Sequence, residues 1–398
     1  MAPPPRQGSG FVHKTYFRGT HRVRHPEATW AAIAPHIHEY GISRLANVTD
    51  LDIVGIPVYM AVRPMARTLT VAQGKGADPL AAKVSAAMEA IEMWHAEHAV
   101  PDATATAVPA TELHLPYRVS DLATTVRGIG TDSMVLDWIP ATDFSRDLST
   151  YVPRSAVVMD WRPPPRWTPL ALPSTSNGLA SGNTRAEACI HAMLEVIERD
   201  CTAQLSLIPQ RERTRINPAT VTDPTVVDLI GKLRAAGAWF ELVIAATQWP
   251  VWCFACYLWL PDAPVIAAGS GAHTDPGVAL SRAITEAAQS RLTTIVGTRD
   301  DINPKSYTRS AAPLHPPEDP DDQSTLLSWQ TMIDSGPVHR FNDDHTEAAW
   351  LAALIADNSG HSPLIVDLAD GSDFAVVKVL CPNLQFRTRH QIPRPGAA

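Results

Sequence analysis

Acidic side chains line one face of a helix that the sequence predicts from about Arg185 to Leu205. Glu187, His191, Glu195 and Glu198 recur at helical spacing, so at about 100° per residue they fall within an arc of roughly 80°. Most other positions of this helix are apolar, which indicates that the helix is buried. Because buried carboxylates at this spacing repel one another, the group requires cations.

Two further predicted helices carry a similar pattern. The residues on a single face are Ser85, Glu89 and Glu92 in the helix at about 78–98, and Arg282, Glu286 and Gln289 in the helix at about 276–295. The same number of residues separates Gly76 from Glu89 as separates Gly182 from Glu195. This regularity predicts repeated copies of one structural unit.

Each unit is predicted to consist of a strand, a glycine-rich loop and a helix. The strand and loop occupy residues 68–76, 176–184 and 265–273. Small residues at such positions allow a ligand to approach backbone N–H groups at the start of a helix. We therefore expect an α/β fold with mixed sheets, in which the pseudo-repeated units direct their helices toward one central site.

The chemistry that suits such a site is magnesium-dependent. Mg²⁺ usually works with one or two carboxylates plus substrate phosphates, so four or more acids indicate several magnesium ions holding a triphosphate. The candidate metal ligands are Glu92, Glu187, Glu195, Glu198 and Glu286, and the candidate cations for phosphate are Lys75, Arg199, Arg291 and Arg299. Zinc is disfavoured because it prefers Cys and His. The alternatives are solvated helix faces for the acids and ordinary surface ion pairs for each cation.

Composition and charge exclude several classes of protein. With 45% hydrophobic and 19% charged residues, the chain of 398 residues is globular and long enough for two or three domain-sized units. The formal charge of −8 argues against nucleic acid as a partner. No signal peptide or membrane span is visible, so we expect a cytoplasmic protein without a membrane partner. No P-loop motif is present.

The most apolar stretch, 239–268, is interrupted by prolines and acids, which predicts two buried strands and not a membrane helix. Cys253 and Cys256 form a CxxC within it, but in an extended strand they point to opposite faces. We therefore expect buried core thiols, with a redox or zinc pair as the alternative. Proline-rich runs at 161–173 and 311–323 predict surface connections, the second long enough for a lid or a disordered segment.

In combination, six segments of the chain resemble the YcaO family. They are residues 41–50, 55–64, 85–89, 175–183, 195–199 and 283–291. Among them are a Ser-x3-Glu motif, an Asn-x3-Glu motif and a Glu-x2-Glu-Arg motif. The resemblance implies ATP and Mg²⁺ as cofactors. It implies that the nucleotide site contains Ser85, Glu89, Asn183, Glu187, Glu195, Glu198, Arg199, Gln289 and Arg291.

The resemblance also implies a reaction on a peptide. Members of the family use ATP to phosphorylate a backbone amide oxygen as a nucleophile adds to the carbonyl carbon, giving an azoline, a macrocyclic amidine or a thioamide. Amide resonance makes that carbonyl a poor electrophile, which explains the need for ATP. The expected function is peptide backbone modification in the biosynthesis of a ribosomally made natural product. The alternative is a non-catalytic relative that binds a peptide or a partner protein.

Domain boundaries and partners are predicted less directly. We expect an N-terminal segment at 1–40, a catalytic domain at 41–385 and a tail at 386–398, with no fused leader-binding domain. Lys14 and residues 19–22 resemble the start of members that pair with a TfuA protein, or that act alone in bottromycin-like pathways. The expected partners are a precursor peptide and a TfuA-like or leader-binding protein. The sequence leaves open whether the protein forms a homodimer.

Overall fold

The computed structural model describes residues 14–122, 131–162, 172, 175–245, 248–299, 301, 316, 326–371 and 373–384. The proline-rich connections predicted at 161–173 and 311–323 lie almost entirely outside the described residues. The tail predicted at 386–398 lies wholly outside them. None of the helices within the described ranges combines the length and the hydropathy needed to cross a bilayer.

The described chain contains sixteen strands and seven α-helices. The strands are β1 Thr15–Phe17, β2 Thr20–Arg22, β3 Arg44–Asn47, β4 Val58–Val62, β5 Val71–Lys75, β6 Ala105–Pro109, β7 Val135–Asp143, β8 Leu148–Pro153, β9 Leu179–Gly182, β10 Arg215–Ile216, β11 Trp239–Ile244, β12 Trp252–Leu260, β13 Ala263–His273, β14 Leu326–Leu327, β15 Leu364–Asp370 and β16 Ala375–Leu380. The helices are α1 Pro26–Ile33, α2 Pro79–His98, α3 Arg185–Leu205, α4 Pro224–Ala235, α5 Pro276–Val296, α6 Trp329–Ser335 and α7 Asp344–Ser359.

The described strands form three larger sheets and one small hairpin, β1–β2. The sheet orders are β3-β4-β5, then β6-β7-β15-β16-β9 with β8 paired to β7, and β13-β12-β11-β10-β14. Neighbouring strands in these sheets are antiparallel except for β10 and β14, which are parallel. The α/β class with mixed sheets that the sequence predicts is therefore confirmed.

The three predicted repeat units are the strand–helix pairs β5–α2, β9–α3 and β13–α5, hereafter units one, two and three. Within the described residues, each of these strands lies at the edge of its own sheet. Each helix begins after a capping side chain, Asp78, Thr184 or Asp275, that accepts a hydrogen bond from a backbone N–H of the first turn. These local signals explain why the helices occupy the residues expected from the sequence.

The strand glycines of the units serve helix packing, which corrects the prediction that they admit a ligand. A Cβ atom added to any of them would collide with a backbone nitrogen of the helix that follows. The distances are 1.9 Å from Gly74 to Ala86, 2.4 Å from Gly182 to Ala188 and 2.2 Å from Gly269 to Ala287. Because the helix already fills this space, glycine is required for close contact between helix and strand.

The N-terminal residues 14–40 pack on the rest of the chain. Helix α1 contacts α2, and the Thr29 hydroxyl donates a hydrogen bond of 2.7 Å to the side chain of Asn183. Lys14 forms a buried ion pair with Glu347 of α7. These contacts bring the N-terminal segment next to the start of α3, where the acidic face begins.

The apolar stretch at 239–268 forms three antiparallel strands, β11 to β13, and not the two predicted from the sequence. Pro250 lies between the first two strands, and Pro261 with Asp262 forms a tight turn between the last two. Every residue of β12 is buried, because one face packs against α3 and α7 while the other packs against α4 and α5. A strand that is covered on both faces lacks the alternation of apolar and polar residues. The sequence pattern therefore did not show where one strand ends and the next begins.

The CxxC thiols occupy the two different cores, as expected for core residues. Cys253 packs in the core beneath α3, and Cys256 packs in the core beneath α5. All five cysteines are buried and free. Burial raises the pKa of the Cys256 thiol above its ordinary range, and a hydrogen bond with Cys201, together with burial, raises the pKa of Cys253. Neither thiol is therefore activated as a nucleophile.

Replacing Cys253 or Cys256 with Ala is expected to lower the free energy of unfolding by about 1–2 kcal/mol, as a small cavity does in a packed core. The ATP turnover that the resemblance implies is expected to stay unchanged in both folded variants. Urea unfolding and a turnover assay check this pair, each variant acting as the control for the other. Loss of turnover in Cys253→Ala alone, with unchanged stability, would indicate a chemical role for that thiol.

Candidate active site

Polar residues next to the packing glycines connect the three units. Ser181 of unit two donates hydrogen bonds from its hydroxyl and backbone N–H to Glu92 of unit one, at 2.6 and 2.8 Å. Ser270 of unit three donates from its hydroxyl to Glu198 of unit two. The backbone N–H of Ala272 reaches the other oxygen of Glu198 at 3.2 Å. Two acidic helices are thus each held by the strand of the next unit.

Gln73 of unit one completes the cycle. Its backbone carbonyl accepts a hydrogen bond of 3.0 Å from the side chain of Gln289 in unit three. Its side-chain oxygen accepts a hydrogen bond from the hydroxyl of Thr293, also in unit three. Each strand therefore bonds to the helix of a different unit, and the acidic faces of α2, α3 and α5 converge.

Cations lie among the converged acids. The ammonium group of Lys75 in unit one lies 2.7 Å from the carboxylate of Glu286 in unit three. The guanidinium of Arg199 lies 3.1 Å from Glu195 and 3.7 Å from Glu198. Five predicted site residues from three separate segments are therefore neighbours: Lys75, Glu195, Glu198, Arg199 and Glu286.

Several buried polar atoms at this place have no hydrogen-bond partner in the described structure. They are Nε and Nη1 of Arg199, Oε1 of Gln289 and Nε2 of Gln73. An unpaired buried polar group costs about 1–3 kcal/mol, so native proteins rarely retain a group of them without a ligand. A ligand rich in negatively charged oxygen atoms would satisfy the guanidinium, and a ligand with hydrogen-bond donors would satisfy Gln289.

Burial and mutual repulsion weaken the acidity of the carboxylates. Burial, with the charges of Glu286 and Glu195 adding to it, raises the pKa of Glu89 to about 7 against the attraction of Lys75. Burial raises the pKa of Glu92 to about 8, although the hydrogen bonds from Ser181 oppose it. The protein alone therefore supplies too little positive charge for these acids, and divalent cations would complete the site.

No three His, Cys, Asp or Glu side chains among the described residues form a group close enough to hold a metal ion by themselves. The acids converge without making an all-protein cage. This donor set fits Mg²⁺, which completes its octahedral shell with water and with the phosphates of a nucleotide. The residues present therefore fit magnesium-bound ATP.

A family model described as YcaO cyclodehydratase, binding ATP and Mg²⁺, matches residues 73–385. The chain belongs to the YcaO family. It is accordingly an ATP-utilising enzyme whose cofactors are ATP and Mg²⁺.

Two uncharacterised relatives are similar to this YcaO chain over most of its length. One, from Mycobacterium tuberculosis, is 36% identical over 386 residues, which cover 95% of this chain and 85% of the relative. Another, from Rhizobium leguminosarum bv. trifolii, is described as a protein in the tfuA 3′ region. It is 38% identical over 297 residues, covering 71% of this chain and 70% of the relative.

Two solved structures share the fold. YcaO from Methanopyrus kandleri, bound with AMPPCP and Mg²⁺, superposes with a TM-score of 0.68 at 22% identity and covers 94% of each chain. A heterocyclase in complex with substrate and cofactor superposes with a TM-score of 0.73 at 20% identity. That comparison covers 96% of this chain and 54% of the heterocyclase.

The start of α3 carries two further predicted site residues, Asn183 and Glu187. Glu187 accepts hydrogen bonds from the backbone and side chain of Asn183, at 3.1 and 2.9 Å, and from the backbone N–H of Val23 at 2.9 Å. Arg22 lies 3.1 Å from it. Because these donors already occupy its oxygens, Glu187 is the least available of the predicted metal ligands.

Ser85 and Arg299 lie at the margin of the group. Ser85 is half-buried on the face of α2 that carries Glu89. Arg299 forms an ion pair of 2.7 Å with Asp301, and its charge still acts on Glu89. The assignment of both residues to the nucleotide site stays a proposal.

Arg291 is the predicted site residue that the structure places elsewhere. Its guanidinium lies 2.9 Å from Asp52 and 2.6 Å from Asp262, and it donates a hydrogen bond of 2.9 Å to the carbonyl of Ala263. The residue is 2% exposed. Arg291 and Gln289 are two residues apart, so they lie on different faces of α5. Through Asp52, Arg291 connects α5 to the turn at 49–52.

Some residues near the site were absent from the predicted set. Arg22 and Arg282 lie on either side of His191, with nitrogen–nitrogen distances of 2.8 and 3.3 Å. Lys378 of β16 is buried, which lowers its pKa, and the negative charge of Glu195 opposes this shift. A lone lysine inside an apolar strand pattern was the available signal for Lys378. Arg22 belongs to residues 19–22, which resemble the start of family members that pair with a TfuA protein or act alone.

The thermal stability of the nucleotide-free protein is expected to fall as pH rises from about 6.5 to about 8. The folded-state pKa values of Glu89, about 7, and Glu92, about 8, exceed the ordinary value of 4.5. The folded state therefore binds more protons than the unfolded state in this window, and stability decreases with pH. Scanning calorimetry checks this.

The Glu92→Gln variant is the control and is expected to show a shallower decline. Adding Mg²⁺ with AMPPCP is expected to reduce the decline in the wild type, because the metal stabilises the ionised carboxylates. Stability that rises across the same window would contradict the raised pKa values.

Proposed function

We propose that this YcaO enzyme activates a backbone amide of a ribosomally made peptide by transferring the γ-phosphoryl group of ATP to the amide oxygen. The nucleophile that adds to the carbonyl carbon then decides whether an azoline, an amidine or a thioamide forms. The observation that supports this most strongly is the cyclic joining of three acidic helices around the orphaned donors of Arg199.

The metal ligands we assign are Glu89, Glu92, Glu195, Glu198 and Glu286, which together would hold the magnesium ions on the triphosphate. Magnesium-bound ATP supplies the phosphoryl group and neutralises the charge that develops on it. The residues of the chain position the phosphates and exclude water, which is the main contribution of a protein to phosphoryl transfer.

Lys75 and Arg199 are assigned to the phosphates. Lys75 lies 2.7 Å from Glu286 and can balance either that carboxylate or a phosphate oxygen. Arg199 donates a hydrogen bond to Glu195 through one nitrogen, at 3.1 Å. Its Nη1 lies 3.7 Å from Glu198, too far for a hydrogen bond, so Nε and Nη1 can still donate to a second acceptor. Burial alone would lower the pKa of Arg199, but Glu195, Glu198 and Glu286 raise it, so its charge is permanent.

Partner dependence is part of this proposal. The relative from Rhizobium leguminosarum is described by its position next to tfuA. That description favours a TfuA-like protein as the partner of this enzyme, and thioamide formation is the outcome that we propose to depend on this partner. Azoline or amidine formation by the enzyme alone is the competing outcome.

The experiment uses the full-length protein with Mg²⁺, ATP and candidate precursor peptides. Each peptide is incubated with and without sulfide and a TfuA-like protein, and its mass and the nucleotide products are measured. A peptide that gains the mass difference between sulfur and oxygen, only with sulfide and the partner, supports thioamide formation. A peptide that loses one water supports cyclodehydration.

Both outcomes require ADP as the product and a slow idle turnover, because the acceptor must be held in line with the γ-phosphate. The Glu195→Gln variant serves as the control for site dependence. Release of AMP, or rapid hydrolysis that no peptide accelerates, would overturn the proposal. Nucleotide binding without turnover on any peptide would favour a non-catalytic binding protein.

A further inference from the structure

Lys378 is a buried cation in an otherwise apolar strand. It lies in the middle of β16 between Val377 and Val379, and it is 3% exposed. Burial lowers its pKa to about 8, and the negative charge of Glu195 opposes this shift. Burying an ammonium group is costly, so a strand retains one only where its hydrogen bonds compensate.

The hydrogen bonds of Lys378 go to the turn before β9. Its ammonium donates to the backbone carbonyls of Thr175 and Asn177, at 2.5 and 2.7 Å. The turn itself is closed by a hydrogen bond of 2.7 Å from the N–H of Leu179 to the carbonyl of Ser176. Two neutral carbonyl groups on one short turn are thus oriented by a single side chain from the neighbouring strand.

Gly178 is the third residue of this turn and connects it to the site. Its φ of +73° is the conformation that a type II turn requires at this position. Its backbone N–H donates a hydrogen bond of 3.2 Å to Glu195. A Cβ atom on Gly178 would lie 2.2 Å from the carbonyl oxygen of Val379, so the turn fits closely against β16.

The contacts form one chain from β16 to the acidic group. Lys378 holds the carbonyls of the turn, the turn presents the N–H of Gly178, and this N–H holds one oxygen of Glu195. The other oxygen of Glu195 is held by Arg199 at 3.1 Å. The orientation of Glu195 therefore depends on two cations, and one of them acts through the backbone.

We propose that Lys378 is a positioning residue of the nucleotide site, which fixes Thr175 and the turn at 176–179 that follows it, and through this turn orients Glu195 toward magnesium-bound ATP. This inference rests on the assignment of Glu195 under the proposed function. It does not depend on which peptide the enzyme modifies. Lys378 itself contacts neither the nucleotide nor the peptide in this proposal.

The test is a double-mutant cycle on nucleotide affinity, measured by isothermal titration calorimetry with Mg²⁺ and AMPPCP on the full chain. Lys378→Met keeps an unbranched side chain of similar length and removes the ammonium group. It is expected to weaken binding by about tenfold or more. In the Glu195→Gln background the same substitution is expected to change binding by less than about threefold, because the two residues act as one.

Lys232→Met is the matched control. Lys232 also donates to a backbone carbonyl, that of Gly55 at 3.1 Å, but it lies partly exposed on α4, which carries none of the assigned acids. It is expected to bind the nucleotide as the wild type does. Wild-type affinity in Lys378→Met, or equal losses from Lys378→Met in both backgrounds, would overturn the inference.

Hydrogen–deuterium exchange of the wild-type protein tests the same chain of contacts if Lys378→Met does not fold. Adding Mg²⁺ with AMPPCP is expected to slow exchange of the Gly178 and Leu179 amides, because ordering Glu195 orders the turn. Unchanged exchange at these amides would overturn the inference. A protein that binds AMPPCP as expected yet modifies no peptide would overturn the proposed function and leave this inference standing.

Discussion

Replacing Glu198 with Gln is expected to lower peptide-dependent ATP turnover by about 100-fold or more, equivalent to about 3 kcal/mol at the transition state. Glu198 is buried, and its pKa is raised by burial and by the nearby charge of Glu286. Glutamine keeps the shape: its amide oxygen can accept from the N–H of Ala272, and its amide nitrogen can donate to the hydroxyl of Ser270. It removes the charge that faces magnesium. The measurement is the initial rate of ADP formation.

The variant is expected to remain folded, because losing one of several repelling carboxylates does not destabilise the nucleotide-free protein. Circular dichroism and thermal melting establish this. Glu39→Gln, an exchange of an exposed glutamate outside the acidic group, is the matched control and is expected to turn over ATP normally. Near-normal turnover in Glu198→Gln would remove this residue from the metal site.

Replacing Arg291 with Met is expected to lower the free energy of unfolding by about 3–5 kcal/mol, because it leaves the buried carboxylate of Asp52 without its partner. The side chains of Arg291 and Asp52 are 1% and 2% exposed. Urea denaturation measures the change. Arg18→Met is the matched control, since Arg18 forms an exposed ion pair of 2.7 Å with Asp228. Its loss is expected to cost less than about 1 kcal/mol.

The double variant with Asp52→Asn is expected to regain part of the stability, because it removes the uncompensated charge. These outcomes separate a structural ion pair from a phosphate ligand. Unchanged stability in Arg291→Met together with lost nucleotide binding would contradict the structure and restore the sequence-based assignment of Arg291.

The sequence by itself determined the parts of the site that depend on local order. Glu89, Glu195 and Glu198 could be placed on helix faces because the helical period is a local property, and the capping residues that start α2, α3 and α5 are local as well. The α/β class followed from the repetition of these units. The spacing of the acids alone predicted only a magnesium-bound triphosphate. The motifs of the YcaO family identified the cofactors as ATP and Mg²⁺.

The tertiary structure decided which residues meet. Ser181, Ser270 and Gln73 each bond to the helix of a different unit, over separations of 89, 72 and 216 residues. No local pattern specifies such pairs, because they depend on how three sheet edges come together. The ion-pair partner of Arg291 could not be predicted for the same reason. This partner, Asp52, lies 239 residues away in the sequence.

The roles of the strand glycines and of Lys378 also became clear only from the tertiary structure. A glycine in a strand fits either a ligand or a helix backbone, and only the position of α2 behind Gly74 shows that the helix takes the space. A lysine in an apolar strand contradicts the apolar pattern around it, because burying an ammonium group is costly. The carbonyls of Thr175 and Asn177 resolve it, because the fold brings them from 203 and 201 residues away to within hydrogen-bond distance of the ammonium group.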